Sequence, residues 1–176
     1  MKEREVKVLN IDKDEIENKL LQLGAVLLKD EEQINIRFDT DENYLKETYC
    51  GYLRIRITKN LLNGETRNTL TFKRNVSRDK FRINEETETE VYDYEEMIKI
   101  LQFLGYNKKR PGYKHRKSYK YDNIIFEIDT WDIETYSKPY LEIEVMTEED
   151  LDKAIDLLHL DREQVTTKSI DELKKD

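Results

Sequence analysis

Near the N-terminus, Glu3, Glu5 and Lys7 alternate with Arg4, Val6 and Val8. Successive side chains of a strand point to opposite faces, so this spacing sets two carboxylates and an ammonium against two valines. The pattern recurs along the chain. Leu53, Ile55 and Ile57 oppose Arg54 and Arg56, and Leu70 and Phe72 oppose Thr71 and Lys73. Phe126 and Ile128 oppose Glu127 and Asp129, and Leu141, Ile143 and Val145 oppose Glu142 and Glu144. In the run 113–121, Lys114 and Arg116 share a face from which His115 alternates away.

These charges are sorted by sign. Glu3 with Glu5, Glu142 with Glu144, and Asp129 make acidic faces; Arg54 with Arg56, Lys73, and Lys114 with Arg116 make basic ones. A solvated face is the simpler explanation for any one strand, but a surface built for solubility intersperses its signs. Carboxylates crowded together repel unless protonated or bridged by a hard, oxygen-seeking cation such as Mg²⁺ or Mn²⁺. Arginine and lysine suit phosphate, arginine with a bidentate grip. Acids and bases together point to a polyphosphate laid among the bases, with divalent ions between it and the acids.

The elements that must position these groups follow a repeat. Glu-x-Glu-Val occurs at Glu3, Glu88 and Glu142, and an amphipathic helix follows each copy. Asp12, Asp93 and Thr147 are the expected N-caps, and Gly24 and Gly105 the stops of the first two helices. Ile16, Leu20 and Leu23 form one apolar stripe; Met97, Leu101 and Leu104 form the next. Hairpins are expected at Asn63-Gly64, between strands 52–58 and 67–74, and at Asp122-Asn123, between 113–121 and 124–131. No linker or compositional break interrupts the chain, so residues 1–176 are expected to form a single domain.

Three amphipathic helices need an apolar sheet face to cover. The charged face is then the wet side of an open sheet or the lining of a closed barrel. Closure removes the edge strands that an open sheet of this length leaves exposed, and it makes the charged face a polar tunnel. The net charge of −8, from 31 Lys+Arg against 39 Asp+Glu, argues against a nucleic-acid binder. A single cysteine, Cys50, offers neither a disulfide nor a Cys-rich metal site. No signal peptide and no membrane-length apolar run stand out, so a soluble, cytoplasmic protein is expected.

In order, Glu3-x-Glu5-x-Lys7, Leu53-Arg54-Ile55-Arg56, Leu70-Thr71-Phe72-Lys73, Glu86-x-Glu88-x-Glu90, Lys114-x-Arg116, Ile128-Asp129 and Glu142-Ile143-Glu144 resemble the CYTH superfamily. These triphosphate tunnel metalloenzymes include class IV adenylyl cyclases, thiamine triphosphatases and inorganic tripolyphosphatases. The resemblance runs from Glu3 to at least Val145. It implies an α+β fold: a closed eight-stranded antiparallel β-barrel with helices on its outer surface, whose lumen binds a triphosphate with Mg²⁺ or Mn²⁺.

The resemblance also implies roles. Glu3, Glu5 and Glu144 are metal ligands, with Asp129 and Glu142 assisting. Arg54, Arg56, Lys73, Lys114 and Arg116 grip phosphate, joined by Arg82, and Lys7 stands with Glu5 at the reacting phosphate. Glu86, Glu88 and Lys168 are further candidates. The implied activity is hydrolysis of the terminal phosphoanhydride of tripolyphosphate or of a nucleoside or thiamine triphosphate. Cyclisation of ATP to cyclic AMP and pyrophosphate uses the same lining, and a non-catalytic nucleotide or polyphosphate module is a third reading. The expected partner is a small-molecule triphosphate, with no nucleic acid and no membrane, and the protein is expected as a monomer or homodimer.

Two departures from the family pattern stand out. Relatives carry a Gly-rich turn where this chain has Thr130–Tyr140, and their C-terminal Arg/Lys-Ser-Tyr is here Lys168-Ser169-Ile170. Tyr113, Tyr119, Trp131 and Tyr136 are candidates for stacking on a base, although packing is the commoner use of such residues. His159 near a helix end, and the runs Lys108-Lys109-Arg110 and Lys174-Lys175, are expected at the surface.

Overall fold

The computed structural model describes residues 2–175. In chain order it comprises β1 (Lys2–Val8), α1 (Lys13–Gln22), β2 (Val26–Asp39), α2 (Tyr44–Tyr49), β3 (Gly51–Asn60), β4 (Thr66–Arg78) and β5 (Arg82–Glu90). Then follow α3 (Tyr94–Phe103), β6 (Lys108–Tyr121), β7 (Ile124–Trp131), β8 (Tyr140–Glu144), α4 (Glu148–Leu158), β9 (Val165–Thr166) and α5 (Ile170–Leu173).

The helix starts are chemical. The Asp12 carboxylate accepts from the N–H groups of Asp14 and Glu15, and Asp93 accepts from Glu95 and Glu96, satisfying amides that a first turn leaves unpaired. Thr147 and Asp150 cap α4 reciprocally. Gly24 and Gly105, at φ +78° and +91°, end the first and third helices in a conformation that costs other residues strain.

The strands pair antiparallel in the order β5-β4-β3-β2-β6-β7-β8-β1, and β1 pairs back onto β5, closing an eight-stranded barrel. β9 adds to β1 at Lys7–Thr166 and Val8–Val165. Both expected hairpins are present, with Gly64 at φ +78° and Asp122 at φ +52°. The apolar faces turn outward. Val6, Val8, Phe126, Leu141 and Ile143 pack with Ile16 and Leu20 of α1 and Ala154 and Leu158 of α4. On another side, Phe38 and Ile55 pack with Leu101 of α3. The hydrophobic cores thus lie outside the barrel wall, which leaves the lumen to the charged faces.

The structure extends the sequence reading and corrects it in places. β2 is a 14-residue strand that the sequence did not announce, because only its second half, Ile34, Ile36 and Phe38, alternates cleanly. The strand expected over 113–121 starts earlier: β6 begins at Lys108 and runs straight through Pro111-Gly112, pairing Ile36 with Pro111 and Asn35 with Gly112. Gly112 serves a close approach, since a Cβ there would lie 2.8 Å from Thr135 Oγ1 and 3.0 Å from Trp131 Cζ3. Lys108, Lys109 and Arg110 therefore belong to a strand, on which Lys109 and Arg110 are exposed as expected. Leu104 falls beyond the last turn of α3 and is 67% exposed, and Ile98 packs with Met97 and Leu101 instead.

Candidate functional site

Strand order explains the sorting by sign. β7, β8 and β1 are neighbours, so their inward acids meet. Glu5 faces Glu144 across β1 and β8, Lys7 faces Glu142, and Glu142 faces Glu127 across β8 and β7. Two carboxylate groups result, Glu3–Glu5–Glu144 and Glu127–Glu142–Glu144, each with ligand atoms within 4.8 Å of one another and sharing Glu144. The first and third Glu-x-Glu-Val copies are thereby laid side by side. The middle copy slides past: Glu88 and Glu90 face Thr71 and Thr69 of β4, beyond the reach of β1.

The bases come from β3, β2 and β6, also neighbours. Arg54 and Arg56 of β3 lie across from Arg37 and Asn35 of β2, which lie across from Arg110 and Gly112 of β6. Four steps around an eight-stranded ring separate β8 from β3 and β1 from β2, so the acidic wall confronts the basic one. Between them is a cavity of about 1060 Å³, which is large by the standards of small-molecule sites.

Lysines and arginines bridge the two walls. Lys73 Nζ is 2.6 Å from Glu86, 3.1 Å from Glu3 and 3.7 Å from Glu5, and Lys7 Nζ is 3.0 Å from Glu142. Arg82 approaches Glu5 at 3.8 Å. Arg116 contacts Glu127, Asp129 and Glu142. Arg56 Nε donates to Asn35 Oδ1 at 2.9 Å, and the buried Asn35 Nδ2 has no hydrogen-bond partner among the described residues. At one end, α5 reaches the lining, and Asp171 takes Arg37 in a bidentate pair.

Charge crowding perturbs the titrations. Burial, then repulsion from Glu127, Glu142 and Glu3, pushes Glu144 up to about 8. Burial also raises Glu3 against the pull of Lys73. Glu142 ionises despite its burial, because Lys7 and Arg116 hold its carboxyl well below the usual range. Burial, reinforced by Arg116, lowers Lys114 to about 7 despite Asp129.

The acidic wall suits a divalent ion. Its donors are all carboxylate oxygens, the preferred ligands of Mg²⁺ and Mn²⁺. Glu5 Oε2 is buried and accepts no hydrogen bond from the described residues, an uncommon state that a cation would relieve.

Glu3, Glu5, Lys7, Arg54, Arg56, Lys73, Arg82, Lys114, Arg116, Glu142 and Glu144 all line the one cavity, as do Glu86 and Glu88. Glu86 belongs with the cations, pulled against its burial to about 2 by Lys73 and Arg54. Glu88 accepts from Thr71 at 2.8 Å. Asp129 lies in neither carboxylate group and is held by Lys114 and Arg116. Lys168 is exposed and absent from the lining.

The sequence reading passed over Glu127, although its alternation with Phe126 and Ile128 had placed it on the charged face. It also passed over Arg37 and Asn35, which lie on the unannounced strand, and over Arg110, Tyr140, Lys174 and Lys175 in the lining. His115 faces outward to Asp30 at 2.6 Å, and His159 caps α4 at φ +51°. Of the four aromatic candidates only Trp131 lines the cavity; Tyr119 is core.

An antiparallel barrel lined by opposed acidic and basic walls defines a charged-tunnel architecture. The chain belongs to the CYTH domain family, whose model matches residues 1–175. No curated protein matches it. Among solved structures, the PH1012 protein of Pyrococcus horikoshii is 28% identical, with TM-score 0.77, covering 97% of this chain and 98% of that one. A candidate adenylate cyclase of Vibrio parahaemolyticus is 17% identical, with TM-score 0.77, covering 99% and 98%. HpAC1 of Hippeastrum, a candidate adenylyl cyclase with a dominant triphosphatase activity, is 16% identical, with TM-score 0.65, covering 95% and 91%. Among the described residues, no helix is long and apolar enough to cross a membrane.

Proposed function

We propose that this barrel hydrolyses the terminal phosphoanhydride of a small triphosphate with the help of Mg²⁺ or Mn²⁺. The observation that carries this reading is the pair of carboxylate groups joined at Glu144 and set across one cavity from the wall of Arg37, Arg54 and Arg56. Glu3, Glu5 and Glu144, with Glu127 and Glu142, would hold the ion. Bound there, it would neutralise phosphate charge and make water more acidic.

The chain's own side chains supply the rest. Arg54, Arg56, Lys114 and Arg116 bind non-bridging oxygens, and their fixed positions stabilise charge that develops in the transition state. Lys73 and Arg82 exchange part of their pairing with Glu5 and Glu86 for the substrate. Lys7, between Glu5 and Glu142, stays protonated: burial works against its charge, but Glu142 and Glu5 raise its pKa, so it acts as a cation and not as a base. The triphosphatase activity in HpAC1's name supports the same reaction class.

A product assay tests the reading, with tripolyphosphate, ATP and thiamine triphosphate offered separately with Mg²⁺ or Mn²⁺. Orthophosphate release is the expected result. Cyclic AMP with pyrophosphate would make the protein a cyclase, and tight binding without turnover would make it a binding module.

A further inference from the structure

We infer that Asp129 and Tyr140 form a positioning unit that aims Arg116 and Lys114 at the bound anion, and that Asp129 is not a metal ligand. The inference rests on the triphosphate reading above and assigns residues to its anion-binding half.

Arg116, Asp129 and Tyr140 stand in one cross-strand row, Arg116 facing Asp129 from β6 to β7 and Asp129 facing Tyr140 from β7 to β8. Asp129 is fully buried and Tyr140 is 2% exposed. The carboxylate of Asp129 receives four donors. Arg116 Nε reaches Oδ1 and Arg116 Nη2 reaches Oδ2, each at 2.6 Å. Lys114 Nζ and the Tyr140 hydroxyl reach Oδ2 at 3.0 and 2.9 Å. Three of these donors saturate Oδ2, and Oδ1 keeps one lone pair beside a guanidinium and an ammonium, whose positive charges oppose a metal ion there. Glu5, with a buried oxygen that accepts no hydrogen bond from the described residues, is the opposite case.

The direction of the Tyr140 proton is fixed by its other neighbour. Trp131 Nε1, a donor only, gives its hydrogen to the Tyr140 oxygen at 2.9 Å. The phenol's one proton is therefore free to go to Asp129. The Trp131 ring also lies 5.1 Å from Lys114 Nζ, a cation–π contact that holds the same ammonium from a second side. Two-point pairing with Asp129 fixes the plane of the Arg116 guanidinium, which a single contact would leave free to swing. Asp129 and Tyr140 thus act on the anion through Arg116 and Lys114.

The test is calorimetry on the full chain, with tripolyphosphate titrated in the absence of divalent ions and Mn²⁺ titrated in the absence of tripolyphosphate. Tyr140→Phe removes one hydroxyl and keeps the ring. It should weaken tripolyphosphate about tenfold, the scale of one lost buried hydrogen bond, with less than a twofold change for Mn²⁺. In an Arg116→Lys background the same change should have little further effect, whereas a merely structural role would make the two losses additive. Asp129→Asn should act in the same direction as Tyr140→Phe.

Unchanged tripolyphosphate affinity in Tyr140→Phe overturns the inference. Loss of Mn²⁺ binding in Asp129→Asn to the degree seen in Glu5→Gln also overturns it. If the wild-type protein binds Mn²⁺ but no tripolyphosphate, the functional reading fails, and this inference falls with it.

Discussion

Arg37 and Asp171 meet in a bidentate pair, both hydrogen bonds 3.0 Å long, where α5 comes against the barrel. Arg37 lines the cavity and stacks at 5.3 Å on the ring of Tyr52. Asp171 therefore occupies a guanidinium that faces the same space as Arg54 and Arg56. Just beyond it, Glu172 pairs with Arg78 and lies 3.7 Å from Arg82.

A carboxylate and a phosphate compete for one guanidinium. Asp171→Asn should raise the affinity for tripolyphosphate severalfold in metal-free buffer. The pair is partly exposed, 24% and 40% for the two side chains, so its loss should cost only about 0.2–1 kcal/mol of stability. Paired calorimetry and thermal melts check both numbers, and weaker binding in the variant would show that Asp171 supports the anion site.

Glu5 tests the acidic wall. A ligand at 100 times its Kd stabilises by about 2.7 kcal/mol, or roughly 5–10 °C in a chain of this size. Saturating Mn²⁺ should therefore raise the wild-type melting temperature by about that much, and Glu5→Gln should abolish most of the rise. The metal-free melting temperatures should differ little, because Glu5 loses both its repulsion from Glu3 and its pairing with Lys73. A full Mn²⁺ response in Glu5→Gln would put the ion elsewhere.

Glu144 sets a pH dependence. Its folded carboxyl titrates near 8 against an ordinary 4.5, so below pH 8 a cation must displace a proton. Mn²⁺ affinity should fall as pH drops from 9 to 6, approaching tenfold per unit if one proton is released. The sign for metal-free stability is the reverse. Between 4.5 and 8 the folded state holds a proton that the unfolded chain has lost, so this group makes stability decline as pH rises. Lys114, lowered to about 7 from 10.5, works the other way above pH 7, because the unfolded chain then holds the extra proton. The decline should therefore show between pH 5 and 7, in metal-free melts.

Gly51 tests the wall itself. A Cβ there would lie 2.6 Å from the backbone oxygen of Lys73, so Gly51→Ala must push β3 and β4 apart. The expected cost is roughly 1–3 kcal/mol, a fall of several degrees in melting temperature, with weaker triphosphate binding through the displaced Lys73. An unshifted melt would mean that the two strands give way freely at this point.

Much of this protein was legible in its sequence, and the reason is local. Alternation in Glu3–Val8, Leu53–Ile57 and Leu141–Val145 has the two-residue period of a strand, and the caps at Asp12, Asp93 and Thr147 act within one helical turn. Each property is complete within a few residues, so composition and spacing determined the three longer helices, the alternating strands and the charged face. The tertiary structure decided which faces meet. β2 pairs with its chain neighbour β3 and, across a large sequence separation, with β6, and that placement brings Arg37 and Asn35 into the basic wall. Strand order around the ring set Glu5 against Glu144 and sent Glu88 past the acidic wall, whereas Asp129 meets Arg116 across the β6–β7 hairpin. No local period encodes such neighbours, because they depend on how eight strands share one circumference.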